Sequence, residues 1–153
     1  MNQFVIVSFL EQDVPASFRK SEWPLHVTIL RPFTTEASAD DIFGSLKKVG
    51  AQTKSIRTVG KSKELFGEHL DVPVVELTLT PELQALRLRI KTKLETQIEF
   101  SAPSFDTFRP HVTDAVSLAL AVGDEVFIKA VSLVEIRNDE RHVFGTVSFS
   151  EQP

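Results

Sequence analysis

One tripeptide, His-Val-Thr, occurs twice in this chain of 153 residues, at His26–Thr28 and again at His111–Thr113. The surrounding stretches, WPLHVTIL and FRPHVTDA, both read as strand segments. With average usage of Val and Thr, two of four histidines would precede Val-Thr by chance on the order of once in ten thousand cases. The repeat therefore predicts a fold with two related lobes, each supplying one such strand.

Alternation along a strand sorts the side chains of each tripeptide onto two faces. His26 and Thr28 share one face, and His111 and Thr113 share the equivalent face, while the valine between them points the other way. Arg109 joins the face of His111 if the strand is regular across Pro110. Each copy thus presents an imidazole beside a hydroxyl, with an apolar residue on the opposite face.

Composition limits the class of protein. The length suits one domain, residues 1–153, and no apolar run approaches the roughly 18 residues of a membrane span. The N-terminal residues lack the pattern of a signal peptide, and the chain has no cysteine, which excludes disulfides and thiolate sites. These features predict a cytoplasmic protein without a membrane partner, and we expect a monomer.

Charge is unevenly distributed. The formal net charge is −4, which argues against coating of long nucleic acids, yet Lys47–Lys63 holds six of the 17 basic residues and no acidic one. Two interpretations stay open: a solvated charged surface, or a local surface that attracts a short anionic ligand.

Strand and helix patterns are mixed without strict alternation, which predicts an α+β fold. One helix is predicted from Ser38, a candidate cap with Asp41, to Val49, with Gly50 ending it; a second starts after Thr80 and Pro81. The predicted strand segments are Phe4–Leu10, Leu25–Leu30, Ser55–Gly67, Val72–Thr80, Glu125–Arg137 and His142–Phe149, the last two forming a hairpin around Asn138 and Asp139.

Two imidazoles with two hydroxyls suit displacement at phosphorus. Histidine titrates near neutrality, so one ring can accept a proton from the attacking oxygen while the other donates one to the leaving oxygen. The hydroxyls can donate hydrogen bonds to the non-bridging phosphate oxygens. Direct protonation of the leaving group needs no metal.

The paired motifs resemble the His-x-Thr/Ser signatures of the two-histidine phosphoesterase superfamily, and within it the bacterial 2'-5' RNA ligase-like and cyclic phosphodiesterase branch. The resemblance covers the whole chain. It implies antiparallel sheets on both sides of a central cleft, helices on the outside, and metal-independent hydrolysis of 2',3'-cyclic or related nucleotide phosphodiesters without a cofactor.

Carried over to this chain, the resemblance implies that His26 and His111 are the acid–base pair and that Thr28 and Thr113 bind phosphate. It suggests Phe66, in the LFG stretch, as a base-stacking wall, with core packing as the alternative. Arg109 is our own candidate for a phosphate contact, with a surface salt bridge as the alternative. Which histidine is the base stays open.

The remaining histidines do not suggest a metal site. His69 lies in a turn-like stretch and His142 beside a predicted hairpin tip, so we expect both to be exposed. The chain is somewhat short for the RNA ligase-like kind, which favours a small nucleotide or a short RNA end as substrate. The alternative function is a module that binds such ligands with little turnover.

Overall fold

Ten strands and two helices form in the residues that the structure, a computed structural model, describes: 1–100, 107–115 and 118–150. The strands are β1 (Asn2–Phe9), β2 (Ser17–Arg19), β3 (His26–Thr35), β4 (Ile56–Phe66), β5 (Val72–Leu77), β6 (Ile98–Phe100), β7 (His111–Thr113), β8 (Glu125–Ile128), β9 (Ala130–Arg137) and β10 (Glu140–Ser148); the helices are α1 (Ala39–Ala51) and α2 (Pro81–Leu94). The α+β class predicted from the sequence is confirmed.

The strands run in the order β2-β10-β9-β1-β3-β7-β5-β4-β8, with β6 beside the far end of β3, and all these neighbours are antiparallel. The first five belong to one lobe and the last four to the other. The lobes meet where β3 pairs with β7, at Val27 opposite Val112. The two His-Val-Thr strands are therefore direct neighbours at the centre of the molecule.

Both helices begin where the sequence predicts them. The backbone N–H of Asp41 donates to Ser38 Oγ at the start of α1, and that of Leu83 donates to Thr80 Oγ1 at the start of α2, both at 3.1 Å. Each bond satisfies one of the amide groups that a helix start leaves unpaired. The predicted end of the first helix was early: α1 continues through Gly50, which is buried, to Ala51.

The main core lies between the helices and one face of the sheet. Val27 and Val112 are fully buried in it. The helices contribute Ile42, Leu46 and Val49 from α1 and Leu83, Leu86, Ile90 and Leu94 from α2. Because strand side chains alternate, the histidines and threonines of the two motifs lie on the opposite face, away from the helices.

The sequence predicted one continuous strand at Glu125–Arg137, and this prediction was wrong. The structure interrupts it at Lys129: β8 pairs with β4, while β9 pairs with β1 and β10. The two segments therefore pair with strands of different lobes. The predicted hairpin is confirmed, and Asn138 in its turn has φ of 54°, a left-handed conformation that asparagine tolerates.

No helix in the described ranges is both long enough and apolar enough to cross a membrane.

Candidate active site

His26 is the first residue of β3, and a backbone bond fixes its ring. Its Nδ1 lies 2.8 Å from the carbonyl oxygen of Pro24. A carbonyl can only accept, so Nδ1 carries the proton and donates. Nε2 is then the nitrogen that remains for proton transfer.

His111, the first residue of β7, repeats this arrangement. Its Nδ1–H donates to the carbonyl of Arg109, again two residues earlier, at 2.9 Å. The same bond over the same spacing fixes the tautomer of both rings. The local geometry is therefore duplicated together with the tripeptide, and each imidazole has Nε2 available.

The pairing of β3 with β7 brings the four predicted residues together. Val27 lies opposite Val112, so the antiparallel register places His26 opposite Thr113 and Thr28 opposite His111. His26 and His111 are therefore diagonal neighbours across the two strands. Residues in this relation are about 7–8 Å apart. All four side chains are half-buried. The face thus presents two imidazoles at opposite corners of a small group, with a hydroxyl beside each.

Aromatic rings enclose His26. The indole of Trp23 lies 4.3 Å from the imidazole at an interplanar angle of 31°, and the rings of Phe9 and Phe18 pack behind it. Burial lowers the pKa of His26, and the nearby His111 lowers it further, while the bond to Pro24 opposes the shift. Desolvation therefore favours the neutral ring, which can accept a proton.

The surroundings of His111 are different. The ring of Phe66 lies 4.7 Å away, edge to face, and the guanidinium of Arg109 lies 4.5 Å from the Phe66 ring centroid. Arg109 donates two hydrogen bonds to Glu76, Nε to Oε2 at 2.9 Å and Nη2 to Oε1 at 2.7 Å. This bonding holds the pKa of Glu76 below its usual range, so the carboxylate is ionised.

These contacts bear on two predicted substrate-binding residues. Phe66 is half-buried beside His111 and not part of the main core, so the core-packing alternative is wrong. Arg109 forms a salt bridge with Glu76, which was the alternative to a phosphate contact. Its side chain is still 50% exposed. Contacts of Phe66 with a base and of Arg109 with a phosphate stay predictions.

The other two histidines lie elsewhere. His69 is exposed in the turn after β4, as predicted. His142 is half-buried within β10, so its predicted exposure was wrong: β2 pairs with β10 at this point, placing Ser17 opposite His142. Across the described residues, no three His, Asp or Glu side chains converge in a way that could hold a metal ion.

The basic segment Lys47–Lys63 spans two elements of the fold. It extends from the last turns of α1 along most of β4, and Arg57 within it forms an ion pair with Glu125 of β8. Attraction of an anionic ligand by this segment remains a prediction.

Sequence reasoning missed two residues of the site, Trp23 and Glu76. Trp23 is the only tryptophan of the chain and lies three residues before His26, which was a usable signal. Glu76 interrupts an otherwise apolar run in β5, which was a weaker one. Their contacts depend on pairings between distant strands, and the sequence does not specify these.

Comparison with known proteins agrees with this geometry. The sequence model of the 2'-5' RNA ligase superfamily matches residues 12–141, most of the chain. The chain belongs to the 2'-5' RNA ligase superfamily. This confirms the resemblance inferred from the two motifs, and membership of this superfamily supports a phosphodiesterase type of activity.

Several solved structures share the fold of this 2'-5' RNA ligase superfamily member. The protein TT0787 of Thermus thermophilus matches with a TM-score of 0.67 at 16% identity, covering 100% of both chains. A protein described as a phosphoesterase matches at 0.59 with 12% identity, covering 97% of this chain and 98% of its own. E. coli LigT complexed with 3'-AMP matches at 0.58 with 10% identity and the same coverage. No curated protein matches the sequence.

Proposed function

We propose that this protein is a metal-independent phosphodiesterase that hydrolyses 2',3'-cyclic or related nucleotide and RNA-end phosphodiesters, including 2'-5' and 1'',2''-cyclic ones. The observation that carries the proposal is the pairing of His26 and His111 on neighbouring strands, each with Nδ1 bonded to a carbonyl and Nε2 available. Binding alone requires no second proton-transfer group. A duplicated acid–base pair is accounted for by catalysis.

The proposed reaction is a single displacement at phosphorus. His26 accepts a proton from water as the water oxygen forms its bond to phosphorus, and His111 donates a proton to the ribose oxygen as that P–O bond breaks. The lowered pKa of His26 supports its role as acceptor. In the reverse direction the two roles exchange.

Thr28 and Thr113 complete the proposed site. Each hydroxyl lies on the face of the imidazoles, where it can donate a hydrogen bond to a non-bridging oxygen of the phosphate. Phe66 offers an aromatic surface beside His111 for the base of the nucleotide. The proposed substrate is a small nucleotide or a short RNA end, and the proposed setting is a cytoplasmic monomer.

A LigT structure complexed with 3'-AMP gives the proposal chemical support. 3'-AMP is the phosphomonoester that results when the 2' oxygen leaves a 2',3'-cyclic phosphate. A protein of the same fold can therefore bind a molecule of the product type proposed for this chain.

A substrate panel tests the proposal. Wild type, His26→Ala and His111→Ala are incubated with 2',3'-cyclic, 2'-5'-linked and 1'',2''-cyclic substrates, with and without chelator. We expect wild type to release phosphomonoester from at least one substrate at a rate that chelator does not change, and each variant to be slower by roughly 100-fold or more. If wild type binds these substrates but converts none faster than the variants, the protein is a binding module.

A further inference from the structure

Glu76 is a nearly buried carboxylate at the edge of the site, 9% exposed. In the β5–β7 pair it lies directly opposite His111, so both side chains are on the same face of the sheet. The residues around it in β5, Val74, Val75 and Leu77, are apolar and buried. A single charge in such a strand needs a partner, and Arg109 is that partner.

Two routes lead from the Glu76–Arg109 pair to the ring of His111. The first is the backbone: the carbonyl of Arg109 accepts the Nδ1–H of His111. The second is the side chain: the guanidinium packs on Phe66, and Phe66 packs edge to face against the imidazole. By binding the guanidinium through both oxygens, Glu76 holds Arg109 in the position that both contacts use.

Neither fold stability nor phosphate binding accounts for Glu76. Desolvating a carboxylate costs free energy that an ion pair only partly returns, and an apolar residue would suit this strand better. A carboxylate beside a bound phosphodiester is also repulsive, so it does not assist binding directly. The contribution of Glu76 to the site therefore depends on the groups that Arg109 contacts.

We propose that Glu76 is a positioning residue that holds His111 in its proton-transfer orientation through Arg109 and Phe66. The expected effect on kcat rests on the proposed function. The expected effect on the orientation of the His111 ring does not. His26 has no counterpart: the rings of Trp23 and Phe9 enclose it, and no ion pair lies beside it among the described residues.

The test compares Glu76→Gln with a matched control, Glu125→Gln. Glu125 accepts two N–H groups of Arg57 across β4 and β8, so it has an ion pair with an arginine on the same sheet, more exposed than that of Glu76 and away from the histidines. For Glu76→Gln we expect kcat to fall roughly 10- to 100-fold with KM changed much less, because the group is misplaced and not lost. Glu125→Gln should keep wild-type kinetics. Equal kcat values for the two variants would overturn the proposal.

A second readout does not require turnover. In NMR spectra of the folded proteins, Glu76→Gln should shift the ring signals of His111 and leave those of His26 in place, whereas Glu125→Gln should shift neither. Unshifted His111 signals in Glu76→Gln would reject the positioning role. If wild type hydrolyses none of the substrates, the proposed function fails while this measurement still decides the role of Glu76.

Arg109→Lys provides a further variant should Glu76→Gln fail to fold. Lysine keeps the positive charge but cannot form both bonds of the planar guanidinium or stack in the same way on Phe66. The proposal expects the same loss in kcat and the same shift of the His111 ring signals. Signals and kcat like those of wild type would overturn it.

Discussion

At the scale of single residues, two histidines with the same hydrogen bond occupy different environments. His26 is enclosed by Trp23 and Phe9, whereas His111 lies beside Phe66 and the ion pair of Arg109. Burial of His26 lowers the pKa of its ring. The two copies of the motif therefore have different surroundings, which fits the proposed reaction with one proton acceptor and one proton donor.

The lowered pKa of His26 predicts a dependence of stability on pH. Below about pH 6.5 the unfolded chain protonates this ring, while the folded protein does so only at lower pH. In that interval the unfolded state binds more protons, so the free energy of unfolding should fall as the pH falls. Denaturant titrations at a series of pH values measure this free energy of unfolding.

Two variants control the pH experiment. His26→Gln removes the titrating group and should flatten the fall in stability below about pH 6.5. His69→Gln changes an exposed side chain in a turn and should keep the wild-type profile. The explanation fails if His26→Gln and wild type lose stability in parallel.

The residues that carry the site were predictable to different degrees. His26, Thr28, His111 and Thr113 could be found because a repeated tripeptide is a local pattern. Glu76 could not be assigned to the site, because its contacts follow from the pairing of β5 with β7 and from the path of the side chain of Arg109. Strand pairing is a property of the folded chain and leaves no short motif.

At the scale of secondary-structure elements, α1 and β10 pack through two glycines. A Cβ on Gly50 of the helix would lie 2.4 Å from Cγ1 of Val147 in the strand, and one on Gly145 of the strand would lie 2.8 Å from the ring of Phe43 in the helix. Each element thus omits a side chain where the other supplies one. This close approach explains why a glycine occupies this position of the helix.

Substitution of Gly50 by alanine tests this packing. Alanine in a helix interior is favoured over glycine by about 1 kcal/mol, but overpacking a core costs about 1–3 kcal/mol. Val147 is β-branched and has little freedom to move away. We therefore expect Gly50→Ala to lower the free energy of unfolding by up to about 2 kcal/mol, measured by denaturant unfolding.

Gly44 in the same helix is the matched control. A Cβ there would meet nothing within 4 Å, so Gly44→Ala should raise the free energy of unfolding by about 1 kcal/mol. If both variants were stabilised alike, the packing explanation would be wrong and only helix propensity would matter.

The longer elements were predictable because caps and periodicity are local. Ser38 and Thr80 mark the two helix starts, and Asn138 marks the hairpin. The strands β2 and β6 have three residues each, too few to show a period. The interruption at Lys129 was missed because both flanking segments have the same strand character, and only their partners differ.

At the scale of the whole molecule, the site exists because the two lobes join through their motif strands. Val27 opposite Val112 sets the register, and that register places each imidazole beside the hydroxyl of the other motif. The sequence predicted two related lobes but not this arrangement, because the spacing of two strands in the chain does not specify their register in space. The proposed mechanism depends on this junction more than on any other contact.

The most direct test of the account is a double-mutant cycle on the fastest substrate, with kcat/KM measured for wild type, His26→Ala, His111→Ala and the double variant. Residues that act as one unit have strongly non-additive effects. The account predicts that each single substitution costs roughly 100-fold or more and that the double variant is little slower than the slower single variant. A single variant with the wild-type rate, or losses that simply multiply in the double variant, would contradict paired-histidine catalysis.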